Sequence, residues 1–134
     1  MSVLCFNIRD ALYAVEVKFA KRVLFKIKVE EFRSSKPYVV GLYKVNDTLY
    51  PVIDLGLLLA GESTEGDYYI IIESVGEGMI GKVDKVVGVF RLESRVIDSS
   101  VKLSSIANEY VSGVADLDGK TVFILDAKKL IASV

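Results

Sequence analysis

The sequence has no histidine and only one cysteine among its 134 residues, and these two shortages exclude several kinds of chemistry. Without histidine, neither a Ser-His-Asp triad nor a Cys-His pair can form. A single cysteine cannot complete the tetrahedral nitrogen and sulfur shell of the common zinc sites. Carboxylate-based hydrolysis and magnesium chemistry stay open, but no phosphate-binding glycine loop is present. We therefore expect no enzymatic activity, no metal site and no cofactor.

Long apolar runs and a large net charge are also missing. No segment approaches the roughly 20 consecutive apolar residues of a membrane-spanning helix. The N-terminal stretch MSVLCFNIRD lacks the charged start, apolar run and cleavage site of a signal peptide. The 17 basic and 18 acidic residues give a net charge of −1, which argues against a generally basic nucleic-acid-binding protein. The unpaired Cys5 excludes an internal disulfide and fits a reducing compartment, so we expect a cytoplasmic protein.

Short strand patterns fill most of the chain and predict an all-β protein. The chain is 51% hydrophobic, which is enough for a substantial core. Residues 4–8 and 11–17 predict a hairpin that turns at Arg9 and Asp10. Residues 68–75 read YYIIIESV, a nearly continuous apolar run typical of a strand buried on both faces. The remaining segments are strand-like residues 38–45 and 79–92, the ambiguous residues 101–114 and the linker-like residues 61–67.

Residues 22–29 alternate between apolar and mostly basic side chains. This period of two predicts one more strand with a single inward face. The side chains expected to face inward are Val23, Phe25, Ile27 and Val29.

An internal repeat relates residues 41–60 to residues 113–132 without a gap. Each copy reads as glycine, strand, two-residue turn, strand, aspartate and short helix. Asp54 and Asp126 occupy the same place in the two copies, where an aspartate caps a helix by accepting hydrogen bonds from free backbone N–H groups. We therefore interpret these carboxylates as helix caps in two separate lobes, and not as an acid and base pair. Pro51 lies in the second strand of the first copy, which predicts an edge or bulge position for it.

Four segments of the chain resemble the CheW family of chemotaxis adaptors. The first is the opening hairpin, through Tyr13, Ala14 and Glu16. The others match family signatures through the following positions: Gly41, Pro51, Val52, Ile53, Asp54 and Leu55; Gly81, Val83, Asp84 and Val86; Tyr110, Gly113, Asp126 and Leu130. The segments follow one another in the family's order and spacing across nearly the whole chain.

This resemblance implies a fold of two small five-stranded SH3-like barrels packed side by side, with short helices capping the barrels. We expect one CheW-like domain over residues 1–134, with approximate lobes at 1–64 and 65–134 and possible strand exchange between them. The resemblance also implies a non-catalytic adaptor that binds the regulatory domain of a CheA-type histidine kinase and the cytoplasmic tip of a chemoreceptor.

Two positions depart from the family pattern. Arg22 stands where relatives often have glutamate, and Asn46 stands where they have arginine. In the family these positions belong to the region that couples to receptors, so either receptor coupling is weakened in this protein or its partner receptor differs as well. The residues predicted to bind partners are Ala20, Lys21, Arg22, Tyr43, Val45, Asn46 and Asp47.

A nucleic-acid-binding surface is the alternative for the basic segment from Lys18 to Lys28. Small barrels bind single strands through basic and stacking side chains, and Phe19 and Phe25 are interleaved with the lysines here. The more ordinary interpretation is a solvated strand face with phenylalanines in the core. Glu30 and Glu31 follow directly and dilute the positive charge that binding to phosphates requires.

Overall fold

Eleven short strands and two short helices make up the part of the chain that the structure describes, residues 1–93 and 109–134 of a computed structural model. The strands are β1 (Ser2–Ile8), β2 (Ala11–Glu16), β3 (Ala20–Phe25), β4 (Glu30–Glu31), β5 (Val39–Val45), β6 (Thr48–Asp54), β7 (Tyr68–Ser74), β8 (Glu77–Val83), β9 (Lys85–Arg91), β10 (Val111–Leu117) and β11 (Lys120–Leu125). The helices are α1 (Leu55–Ala60) and α2 (Ala127–Ala132).

The strands form two sheets, as the expected all-β fold of two small barrels with short helices requires. The first sheet has five strands in the order β10, β11, β2, β1, β9, and the second has six in the order β3, β7, β8, β6, β5, β4. The sixth strand of the second sheet is the two-residue β4. The ambiguous residues 101–108 lie outside the described part of the chain, whereas residues 111–114 belong to β10.

Both halves of the chain contribute to the first sheet. The sequence suggested lobes at 1–64 and 65–134 but allowed strands to exchange. The pairing joins β1 to β2 on one side and to β9 on the other, so the first sheet uses strands from residues 2–16, 85–91 and 111–125. The second sheet uses residues 20–83. The chain crosses between the sheets at a 3₁₀ turn, Val17–Phe19, and again at Asp84, the single residue between β8 and β9.

The hydrophobic residues divide into three clusters, one in each barrel and the largest between the two sheets. β1 shows how alternation produces this division, because successive side chains point to opposite faces of a strand. Val3 and Cys5 enter the first barrel, while Leu4, Phe6 and Ile8 enter the cluster between the sheets. Cys5 is buried as expected, and this burial raises the pKa of its thiol to about 11.

Residues 69–72 confirm the prediction of a strand buried on both faces. Tyr69 and Ile71 pack inside the second barrel, and Ile70 and Ile72 pack between the sheets. β7 therefore supplies both cores, which explains the nearly continuous apolar run.

The internal repeat corresponds to two structurally equivalent units. β5, β6 and α1 form one unit, and β10, β11 and α2 form the other. Asp54 accepts a hydrogen bond from the N–H of Leu57, and Asp126 accepts one from the N–H of Lys129, each at 3.2 Å. Both aspartates therefore cap helices, as predicted. β6 lies between β8 and β5, so Pro51 does not lie on the predicted edge strand. The pairing of β6 with β8 begins only at Val52, so the missing N–H of Pro51 breaks no hydrogen bond between these two strands.

The prediction for residues 22–29 is confirmed for Ile27 and Val29, which pack against the core of the second barrel, but it is wrong for Val23 and Phe25 and for the end of the strand. β3 ends at Phe25, and Lys26 has a positive φ of 51°. Val23 and Phe25 are 40% and 54% exposed, while Leu24 contributes to the barrel core. Val23 pairs with Ile70, so its side chain continues the sheet face that Ile70 presents to the first sheet. That face extends past the area that the first sheet covers, which leaves Val23 and Phe25 in solvent.

Candidate partner-binding surface

The predicted residues Ala20, Lys21 and Arg22 open β3, an edge strand of the second sheet. Ala20 pairs with Ile72 and Arg22 pairs with Ile71 of β7, with a bulge between them. Lys21 and Arg22 are exposed, whereas Ala20 is half-buried against the cluster between the sheets. A bulge at an edge twists the strand and redirects its side chains.

The other predicted residues lie at the turn between β5 and β6. Tyr43 and Val45 are half-buried and pack against the core of the second barrel. Asn46 and Asp47 form the exposed turn, and Asn46 has a φ of 54°, a conformation that asparagine tolerates well. The turn residues can therefore contact a partner directly, while Tyr43 and Val45 support the turn from below.

These two segments share one end of the second sheet but are not neighbours within it. The strand directions place the start of β3, the turn between β7 and β8, and the turn between β5 and β6 at the same end. Strands β7, β8 and β6 separate β3 from β5 in the order of the sheet. The tip of the hairpin between β7 and β8, Val75 and Gly76, thus lies between the two predicted segments.

Exposed apolar side chains adjoin the basic residues of β3. The Phe25 ring lies 4.7 Å from the Tyr68 ring between centroids, and the Lys26 ammonium lies 5.2 Å from the Phe25 ring. The sequence pattern placed Val23 and Phe25 in the core, so it did not indicate that they are exposed. The signal was ambiguous because alternation identifies a face of a strand and not whether another element covers that face.

The positive charge on this surface is largely unpaired within the described residues. Lys18 lies 3.8 Å from Glu16, but Lys21, Arg22 and Lys26 form no ion pair there. This surface, with its exposed apolar groups, is suited to contact an acidic protein surface that also carries apolar side chains.

A second feature is a polar depression where the chain crosses between the sheets. Its lining includes Arg9, Glu65, Gly66 and Asp84. The Asp84 carboxylate accepts hydrogen bonds from the backbone N–H groups of Arg9, Glu65 and Gly66, the last two at 2.8 Å and 3.0 Å. Burial raises the pKa of the Asp84 carboxyl, but these three hydrogen bonds and the Arg9 charge outweigh that effect, so its pKa lies below the usual value.

The described residues offer no metal centre. Within residues 1–93 and 109–134, no three His, Cys, Asp or Glu side chains group closely enough to hold an ion. Asp54 and Asp126 cap helices that follow strands of different sheets. Neither helix in this part of the chain has the length and apolar character needed to span a bilayer.

Comparison with known proteins identifies the family. A model described as a CheW-like domain matches residues 2–134. The chain belongs to the CheW-like domain family. The chemotaxis protein CheW of Klebsiella aerogenes is 22% identical over 134 residues, which cover 97% of this chain and 81% of that protein. The crystal structure of the scaffolding protein TtCheW from Thermoanaerobacter tengcongensis gives a TM-score of 0.82 at 19% identity, covering 93% of this chain and 88% of that one, so the two share a fold.

Several positions that match CheW signatures have clear structural reasons. A Cβ at Gly41 would collide with the backbone oxygen of Glu30, so glycine permits the approach of β4. The backbone N–H of Asp54 donates to the backbone carbonyl oxygen of Tyr38 at 2.8 Å. The backbone N–H of Asp126 donates to the backbone carbonyl oxygen of Tyr110 at the same distance. The signature thus preserves the joint between strand and helix in both repeats.

Proposed function

We propose that this protein is a non-catalytic scaffold of chemotaxis signalling, which joins chemoreceptors to a CheA-type histidine kinase in the cytoplasm. The observation that carries the proposal is the match of the CheW-like domain model to residues 2–134, which spans both sheets. The names of a relative and of a structural neighbour, a chemotaxis protein and a scaffolding protein, support it.

In this proposal the end of the second sheet faces the chemoreceptor tip. The contact consists of the two predicted segments, with the following residues: Ala20, Lys21, Arg22, Tyr43, Val45, Asn46 and Asp47. To these we add the exposed Val23 in the middle of β3, but not Phe25, which pairs with Tyr68 at the opposite end of the sheet. The unpaired Lys21 and Arg22 favour an acidic receptor surface. The regulatory domain of the kinase, which resembles this fold, binds elsewhere on the two barrels.

Reversing the charge at Arg22 tests the receptor contact. We expect Arg22→Glu to weaken binding of a receptor tip fragment about tenfold, and mainly to slow association, because long-range attraction is lost. Arg22 is exposed, so the substitution should change the protein's free energy of unfolding by less than about 0.5 kcal/mol. Surface plasmon resonance at two salt concentrations measures both rates and their screening.

Lys120→Glu is the matched control. Lys120 is exposed and follows the equivalent turn of the other repeat, in the first sheet. The Lys120→Glu variant should bind the receptor fragment with the same affinity as the wild type. Equal affinities of wild type and Arg22→Glu, or equal losses in both variants, would contradict the assigned surface. A random oligonucleotide serves as a third ligand, and steeply salt-dependent binding to it would favour the nucleic-acid alternative.

A further inference from the structure

The hairpin between β7 and β8 contains a residue that does not suit its turn. Ser74 pairs with Glu77, so Val75 and Gly76 form a two-residue loop, and both have positive φ, 51° and 77°. Such loops favour asparagine or aspartate followed by glycine. A β-branched residue with positive φ is a genuine outlier, and such backbone strain concentrates at functional sites.

The equivalent loop in the first sheet obeys the rule. Asp118 and Gly119 join β10 to β11 with φ values of 50° and 86°. The chain thus uses the same turn twice, with a favourable residue in one place and an unfavourable one in the other. Turn geometry therefore does not explain Val75.

Burial does not explain Val75 either. Its side chain is 93% exposed, the largest exposure among the large hydrophobic residues that the structure describes. The apolar group therefore gains little within this chain. It is the broken turn rule that indicates a contact outside the chain, since strained and locally inconsistent positions concentrate at functional sites.

The surroundings of Val75 indicate what kind of surface it meets. One shallow depression beside it is lined by Lys18, Phe19 and Lys21, and another by Lys128 and Ile131. The first depression thus combines two lysines and Glu73 with an apolar side chain, and the second combines one lysine and Glu77 with an apolar side chain. The acidic Glu73 nearby accepts a hydrogen bond from the Tyr50 hydroxyl, so its charge is partly engaged.

We infer that Val75 is the apolar anchor of the receptor-facing surface, and that it enters a recess of the chemoreceptor tip bordered by carboxylates. This inference rests on the proposed function. It is supported by the position of the hairpin tip between the two predicted segments and by the lysines on either side. A few residues near the centre of an interface commonly carry most of its binding energy.

Replacing Val75 with asparagine separates binding from stability. Asparagine suits the turn, so Val75→Asn should raise Tm by about 4 °C. The same variant should weaken binding of a receptor tip fragment about tenfold and leave binding of the kinase regulatory domain unchanged. Val75→Leu keeps an apolar side chain and should retain at least half of the receptor affinity. Val89→Asn, at a 62% exposed position on an extended strand of the first sheet, is the control and should neither raise Tm nor weaken binding.

The outcomes distinguish this inference from the proposed function. Wild-type protein that binds no receptor fragment overturns both. Wild-type binding that Val75→Asn leaves unchanged overturns the anchor alone. A loss confined to the kinase domain overturns the choice of partner, and a fall in Tm overturns the account of the strained turn.

Discussion

At the scale of single residues, Asp84 has the most consequential set of contacts. It is the only residue between β8 of the second sheet and β9 of the first. Its carboxylate holds the turn of the first hairpin through Arg9 and the linker through Glu65 and Gly66. The sequence indicated Asp84 only as a match to a family signature, because its partners are 75 and 18–19 positions away along the chain.

We predict that Asp84→Asn lowers the free energy of unfolding at pH 7 by about 1–2 kcal/mol, since an amide accepts fewer hydrogen bonds and brings unwanted donors. This loss is small for the removal of hydrogen bonds to a charged group, because Asp84 is partly exposed and solvent screens its charge. The folded-state pKa lies below the unfolded one, so the carboxylate stabilises the protein at neutral pH. That contribution is lost as the pH falls from about 4 through the folded-state pKa.

Urea denaturation at pH 7 and at steps down to pH 2 measures both effects. Asp84→Asn should show a shallower loss of stability in acid than wild type. Asp67→Asn is the control, because this exposed aspartate lies in the same linker. Two results would contradict the role assigned to the carboxylate: Asp84→Asn is as stable as the wild type at pH 7, or it loses stability in acid as steeply as the wild type.

At the scale of elements, the repeated unit of two strands and a helix was predictable from the sequence, and its two copies differ in one instructive way. Asp54 and Asp126 make the same capping hydrogen bond. Asp54 is 3% exposed and also accepts hydrogen bonds from the backbone and the hydroxyl of Thr64. Residues 61–67, which read as a linker in the sequence, are therefore fixed to the first helix cap through Thr64.

The two caps should consequently differ in energetic weight. Asp126→Ala removes a cap and should cost about 1 kcal/mol. Asp54→Ala also leaves the buried backbone N–H of Thr64 without a partner and removes the hydrogen bond from the Thr64 hydroxyl, so it should cost about 2–4 kcal/mol. Thermal and urea denaturation of both variants measure the difference. Equal losses would show that the bonds between Asp54 and Thr64 contribute nothing to stability.

β3 shows where prediction of elements failed. The alternation in residues 22–29 was real, but it did not reveal that Lys26 adopts a positive φ or that the face carrying Val23 extends beyond its cover. Both facts depend on tertiary contacts. Local sequence patterns report which side chains share a face and are silent on what lies opposite.

At the scale of the whole molecule, the sequence indicated two barrels but not how the chain divides between them. β1 is apolar on both faces because it serves the first barrel and the cluster between the sheets. That burial pattern is the same whichever sheet the strand joins. The assignment of β1 and β2 to the first sheet follows from pairing with β9 and β11, which no local pattern encodes.

The size of the cluster between the sheets bears on function. It includes residues of both sheets and of both helices, among them Phe6, Leu55, Ile72 and Leu130, so the two barrels are joined by a hydrophobic interface. One exposed end of the second sheet, in contrast, carries the basic and apolar side chains that we propose contact the receptor. A scaffold needs this combination of a rigid body and separate contact surfaces.

The most direct test of the adaptor function is sedimentation velocity of the purified protein mixed with the regulatory domain of CheA and a chemoreceptor tip fragment from the same organism. The account predicts a binary complex with each partner and a larger complex when all three are present. Binding to neither partner would contradict the adaptor function, and mutually exclusive binding would contradict the separate contact surfaces on which it depends.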